Sequence, residues 1–125
     1  METGGMKGRR KEMIRAELHE VLKNGLGVDR IYSEYGMTEL LSQAYGNLDN
    51  GFQTPPWMKI QLRDTGDPMQ KGVNSGLIDV FDLANLHSCA FLSTDDIGTF
   101  RLGKGVDIQG RRDHSELRGC NLMVV

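Results

Sequence analysis

Arg30-Ile31-Tyr32-Ser33-Glu34-Tyr35-Gly36-Met37-Thr38-Glu39-Leu40-Leu41 is the stretch from which the rest of the chain is read. The segment 28–33 is short, apolar and β-branched, and reads as a strand. Leu40, Leu41 and Ala44 then fall at helical spacing, so residues 38–45 are expected to form a short helix. Between them lies a tight loop. Thr38 suits the N-cap of that helix, because its hydroxyl can accept from a first-turn amide. Glu39 in the first turn suits the helix dipole or a cation. A helix N-terminus after a glycine also offers amides to a phosphate. An aromatic face, a flexible glycine, a hydroxyl and a carboxylate therefore share one small loop, and they suit a base, a phosphate and a metal ion. An ordinary strand-to-helix connection uses the same letters, and five residues do not separate the two readings.

Working outward, the 125 residues fit one domain or a piece of a larger one. Apolar residues make up 38% and charged residues 26%, the balance of a soluble globular chain. A net charge of −2 argues against nucleic-acid binding driven by bulk charge. No apolar run approaches the ~20 residues needed to cross a bilayer. The N-terminal residues lack the apolar core of a signal peptide, so a cytoplasmic location is expected. Two cysteines, Cys89 and Cys120, make no disulfide framework. Cys89 is expected in the core. A zinc site from His87, Cys89, His114 and Cys120 matches no compact ligand spacing.

Upstream, Met13, Ile14, Leu18, Val21 and Leu22 share one helical face, and Asn24-Gly25 supplies a stop. Downstream, 46–56 reads as a loop containing Asn50-Gly51 and Pro55-Pro56. Residues 57–63 alternate as a strand, and 64–68 form a turn. A further turn at 72–76 precedes strands at 77–83 and 88–93. Residues 94–98 read as a turn, and 100–102 with 106–108 as a hairpin around Gly103-Lys104-Gly105. The expected fold is α/β plus β: the end of a Rossmann-like α/β layer, then a small distorted β-barrel subdomain. The expected divisions are 1–50, an α/β nucleotide-binding end; 51–110, the barrel-like part; and 111–125, a hinge and tail. A truncated α/β layer leaves apolar faces uncovered, so self-association is expected.

Four marks occur in order: Gly4-Gly5, Tyr35-Gly36-Met37-Thr38-Glu39, Thr94-Asp95-Asp96-Ile97-Gly98, and Gly110-Arg111-Arg112-Asp113 with Arg118-Gly119. In this order the chain resembles the adenylate-forming superfamily of acyl- and aryl-CoA ligases, luciferases and peptide-synthetase adenylation domains. Arg118-Gly119-Cys120-Asn121-Leu122-Met123 and the run 6–12 resemble its acyl-protein synthetase branch. Phenylacetate-CoA ligases are the nearest alternative, and a non-catalytic nucleotide-binding or interaction fragment is the other class.

The resemblance implies ATP and Mg²⁺, a fatty or aromatic carboxylic acid, and an acyl-accepting reductase or carrier. It implies that Gly4 and Gly5 line the adenine pocket, that Tyr35 stacks on the base and that Gly36 lets the backbone approach. Thr38 would bond the α-phosphate and Glu39 would hold Mg²⁺. Asp96 would accept from the ribose hydroxyls, Arg111 would reach ribose or phosphate, and Asp113 would sit at a hinge. The third mark reads Thr-Asp-Asp where the family has Thr-Gly-Asp. Order and the following Ile97-Gly98 favour Asp96 over Asp67, with Asp95 the other candidate. Cys120 is placed to be the acyl-accepting thiol, activated by neighbouring arginines, or else to be an inert apolar residue in a terminal strand. The family's lysine-bearing phosphate loop and its small-domain lysine have no counterpart here. The chain is therefore expected to be a C-terminal piece that does not adenylate by itself.

Overall fold

The computed structural model describes residues 1–3 and 13–112. One helix, α1 (Arg15–Leu26), precedes seven strands: β1 (Ser33–Tyr35), β2 (Ala44–Asn47), β3 (Gly51–Gln53), β4 (Met58–Arg63), β5 (Ser75–Asp82), β6 (Phe91–Phe100) and β7 (Val106–Arg111). They form one antiparallel sheet in the order β1-β2-β3-β7-β6-β5-β4. Two meanders, β1-β2-β3 and β4-β5-β6-β7, are thus joined edge to edge.

The join is narrow. Phe52 opposite Val106 is the one register pair between β3 and β7, with Gly105 N–H donating to the Asn50 carbonyl at 2.9 Å alongside it. A side chain at Gly105 has no room, since a Cβ would lie 1.9 Å from the Phe52 carbonyl oxygen. On the β3 side of the same seam, Gly51, where a Cβ would lie 2.9 Å from the Val106 carbonyl oxygen, supplies the left-handed φ of 64° at the turn from β2 into β3.

The sheet is rolled. Leu40, Ala44 and Phe52 from one end share a core with Met58, Ile60 and Leu62 from the other, around Ile78, Val80, Val106 and Ile108. In a flat sheet β2 and β4, five steps apart, would be separated by ~24 Å. Alternation drives the inward face: in β4, Met58, Ile60 and Leu62 are buried, while Lys59 is exposed and Gln61 and Arg63 are half-buried. The edge strands β1 and β4 do not pair with each other, so the roll stays open.

One buried charge ties the second meander together. Asp79 of β5 takes Arg63 Nε at 2.8 Å and Lys71 Nζ at 2.6 Å, and Arg63 also donates to the Thr94 carbonyl of β6 at 2.6 Å. Burial pushes the Asp79 carboxyl up, but Lys71, Ser93 and Arg63 outweigh it and hold the group below the usual carboxylate range.

Several expectations are corrected. The helix expected over 38–45 is absent: residues 38–39 form a turn and β2 begins at Ala44. The preceding strand is β1, not 28–33. The loop expected at 46–56 contains the β2–β3 hairpin. The turn expected at 94–98 lies inside β6, where register shifts on both sides absorb its irregularity. Helix α1 runs past Asn24-Gly25 and ends at Gly27, which adopts φ 64°. It buries His19, while Ile14 and Val21 stay exposed. Cys89 is exposed, not in the core. The strand at 57–63, the turn at 64–68 and the hairpin near 100–108 are as expected. The described residues contain no Rossmann-like layer and no closed barrel, so what stands is a mostly antiparallel β fold with one helix. The sheet runs without interruption across position 50. No helix among the described residues is long and apolar enough to cross a membrane.

Candidate functional site

Rolling the sheet brings together residues that the chain keeps far apart. Tyr35, the last residue of β1, donates its hydroxyl to Asp96 Oδ2 at 2.8 Å, across a sequence separation of 61. Asp96 faces Arg111 across the β6–β7 ladder, and Arg111 Nε lies 3.3 Å from Asp96 Oδ1. Asp96 is buried, at 7% exposure. Its backbone is fixed by Thr94, whose hydroxyl accepts from Asp96 N–H at 3.1 Å and donates to the Ile78 carbonyl at 2.8 Å.

The Tyr35 ring meets Phe52 edge to face, with centroids 6.1 Å apart. The Arg15 guanidinium from α1 lies 4.7 Å from the centroid of the same Phe52 ring. Burial, and then the negative charge of Asp96, push the Tyr35 phenol well above its ordinary value, with Thr94 and Arg111 working the other way. The phenol therefore stays protonated and remains a donor.

Three of the residues singled out from sequence thus converge: Tyr35, Asp96 and Arg111. Gly36 follows at once and is exposed, and a Cβ there would lie 3.1 Å from Gln43 Cγ. Thr38 and Glu39 sit exposed on the turn, with Leu40 N–H donating to the Met37 carbonyl at 3.1 Å. Without a helix behind it, Thr38 is not an N-cap, and no helix N-terminus faces an anion there. Gly4, Gly5, Asp113 and Cys120 lie outside the described residues.

The far side of this loop is anchored by a residue the sequence reading passed over. Asp82, fully buried at the end of β5, accepts from Leu41 N–H at 2.9 Å, Ser42 N–H at 2.8 Å and Ser42 Oγ at 2.7 Å. It also accepts from Ala84 N–H at 3.1 Å, which starts a 3-10 turn at Leu83–Asn85. The Trp57 indole donates to Ser42 Oγ at 2.9 Å, and Asn85 Nδ2 donates to the Glu39 carbonyl at 2.7 Å. Beside this anchor is an open groove of about 550 Å³, lined in part by Leu41, Tyr45, Pro55 and Trp57. The available signal was a second aspartate, after Asp79, in a mostly apolar strand, since a buried carboxylate must find donors.

A second polar cluster has the letters of a hydrolytic triad. Ser33 Oγ lies 3.0 Å from His19 Nε2 and donates to Glu2 Oε1, which is itself 3.3 Å from the same nitrogen. Serine and acid thus share one ring nitrogen, whereas a triad sets them on opposite nitrogens. His19 and Ser33 are each 1% exposed. The cluster joins α1 and β1 to the segment around Glu2, which bridges to Ser33 in parallel.

Among the described residues, no group of three or more His, Cys, Asp and Glu is arranged to hold a metal ion. Glu39 by itself suits Mg²⁺ only in company with a nucleotide's phosphates, which is the usual way that ion is held. Compared with known protein families, with curated proteins and with solved structures, the chain matches none.

Proposed function

We propose that this chain is the nucleotide-binding, C-terminal part of an ATP-dependent acyl-protein synthetase. The observation that carries the reading is the convergence of Tyr35, Asp96 and Arg111 through the Asp96 carboxylate. An aromatic ring, a carboxylate and a guanidinium in one place match the parts of a nucleoside monophosphate: a flat base, a vicinal diol and an anion. The four ordered sequence marks support the same reading. In it, the rolled sheet is the small β subdomain of an adenylate-forming enzyme.

The ligand roles follow from the chemistry of each group. Tyr35 offers its ring to adenine. The carboxylate of Asp96 accepts from ribose hydroxyls, and Arg111 holds the carboxylate in place while adding positive charge. Thr38 and Glu39, on the exposed turn, are the hydroxyl and carboxylate assigned to the α-phosphate and to Mg²⁺, which would neutralise charge on the phosphates. In the reaction, a fatty or aromatic carboxylate attacks the α-phosphorus and the bond to pyrophosphate breaks. A thiolate, assigned here to Cys120, then attacks the acyl carbon and AMP leaves. The acyl group passes onward to a reductase or carrier.

The test is a calorimetric or NMR titration of the chain with AMP, with and without Mg²⁺, beside Asp96→Ala. Saturable binding is expected, weakened about tenfold to a hundredfold in the variant, the loss expected for hydrogen bonds to a charged acceptor. Equal binding by the two proteins would remove Asp96 from the site.

A further inference from the structure

The contacts that assemble this site also occupy it. Both oxygens of Asp96 are engaged by the protein itself: Oδ2 by the Tyr35 hydroxyl at 2.8 Å, and Oδ1 by Arg111 Nε at 3.3 Å. Each carboxylate oxygen has about two lone-pair directions, but with the Asp96 side chain only 10% exposed few of them face outward. A diol donating two hydroxyls to this carboxylate needs an accessible oxygen. The Tyr35 contact is the shorter of the two. It also comes from the opposite meander, so it closes the site from across the roll.

From this we infer that Tyr35 is a built-in competitor of the ligand: its hydroxyl holds the Asp96 oxygen that a ribose hydroxyl would take, and binding requires that hydroxyl to leave. The inference rests on the proposed nucleoside site and adds how that site is gated. The chain next to Tyr35 has the means to let the ring move. Gly36 follows directly, and Gly36, Thr38 and Glu39 are exposed. The loop's anchors act on its backbone from the Glu39 carbonyl, held by Asn85, and from the Leu41 and Ser42 amides, held by Asp82, so a rotation of the Tyr35 side chain leaves those hydrogen bonds intact. The ring itself serves the ligand as a flat surface, whereas the hydroxyl opposes it. One residue thus carries two opposed contributions, and they separate on removing a single oxygen atom.

Tyr35→Phe keeps the ring and deletes the competing donor. In the full 125-residue chain, with AMP as the probe, it is expected to bind about tenfold more tightly than wild type, the gain from removing a charge-assisted contact that binding must break. Asp96→Ala, measured in parallel, is expected to bind about tenfold to a hundredfold more weakly than wild type. A second readout follows the hydroxyl directly. The chain has three tyrosines, so the ring-carbon NMR signals of Tyr32, Tyr35 and Tyr45 can be assigned by substitution. On adding AMP, the Tyr35 signal is expected to move as its hydroxyl leaves a carboxylate, while those of the other two stay in place.

AMP binding that depends on Asp96 but is unchanged or weakened by Tyr35→Phe would overturn the competitor role and leave the nucleoside site standing. Absence of AMP binding in wild type and Tyr35→Phe, with the wild-type spectrum folded, would overturn the site and the gate together.

Discussion

Asp82→Ala is expected to be the most damaging single change at a polar residue, lowering stability by ~3 kcal/mol or more. The carboxylate is fully buried and accepts four hydrogen bonds, from the amides of Leu41, Ser42 and Ala84 and from the Ser42 hydroxyl. Alanine leaves those donors without their acceptor, and an orphaned buried polar group costs about 1–3 kcal/mol. Asparagine is no remedy, because either its NH₂ meets the Leu41 and Ser42 amides or its single carbonyl abandons the Ser42 hydroxyl. A urea or thermal melt measures the loss, and for a chain of this size ~3 kcal/mol lowers Tm by about 10 °C. A melt unchanged within about 0.5 kcal/mol would mean that the 36–43 loop is not held by this carboxylate.

The same residue fixes a pH dependence. Burial pushes the Asp82 carboxyl up, but the Ser42 hydroxyl and the three amides more than offset it and hold it below the usual carboxylate range. Asp79 is lowered as well. In the unfolded chain both groups titrate near ~3.9. A group whose folded value is depressed contributes stability that is complete above the unfolded value and is lost as pH falls through the folded one. Stability is therefore expected to be flat from neutrality down to about pH 5, and to fall below about pH 4. Asp82→Ala should remove part of that acid-side slope.

Gly105→Ala is the second large effect, and it acts through space alone. A Cβ at this position would lie 1.9 Å from the Phe52 carbonyl oxygen and 2.6 Å from the Phe52 carbonyl carbon. Those are backbone atoms, which cannot turn aside as a flexible side chain would. The strain falls on the single register pair that joins the two meanders, so a cost at or above the ~1–3 kcal/mol of ordinary overpacking is expected. Gly25→Ala is the matched control. It lies inside α1, nothing sits within 4 Å of its Cβ direction, and its φ is not in the left-handed region. It should stabilise by about 0.5–1 kcal/mol, because glycine is the poorer helix former. Paired denaturant melts decide both. Gly105→Ala equal in stability to wild type would mean that the seam between β3 and β7 is looser than described.

The sequence was most legible where side chains alternate. Met58, Ile60 and Leu62 against Lys59, Gln61 and Arg63 identified β4 directly, and the glycines at 103 and 105 marked the β6–β7 hairpin. It misled where a local pattern met a distant partner. Leu40, Leu41 and Ala44 sit at helical spacing, yet Asp82, forty residues away, draws the Leu41 and Ser42 amides out of any helical hydrogen bond. Leu40 and Ala44 are buried and Leu41 is 64% exposed, so only part of the supposed apolar face turns inward. Burial of Ala44 and Gly46 with Tyr45 exposed is the strand alternation that the same letters also allowed. Likewise Asp95-Asp96 with Gly98 has the composition of a turn, but Thr94 and Asp96 are spent on hydrogen bonds within a strand. Tyr35, Asp96 and Arg111 were picked out by resemblance to a family. Asp96 and Arg111 meet as neighbours on the β6–β7 ladder, but the Tyr35–Asp96 bond depends on the roll of the sheet, which no local pattern encodes.

The narrow seam has a kinetic consequence. Each meander is built from hairpin neighbours, so most of its contacts close over short chain separations and form quickly. Docking β3 against β7 is the one strand pairing that must wait for both. Tyr35 stands on one side of that seam and Asp96 with Arg111 on the other, so the candidate site comes into being only at this last event. Weakening the Tyr35–Asp96 bond should then leave the refolding rate nearly unchanged and speed unfolding, the signature of a contact made after the transition state. By the same logic, a ligand spanning Tyr35 and Asp96 would act as a clasp between two independently formed pieces, and the Gly105 amide at the seam should be where its arrival first slows hydrogen exchange.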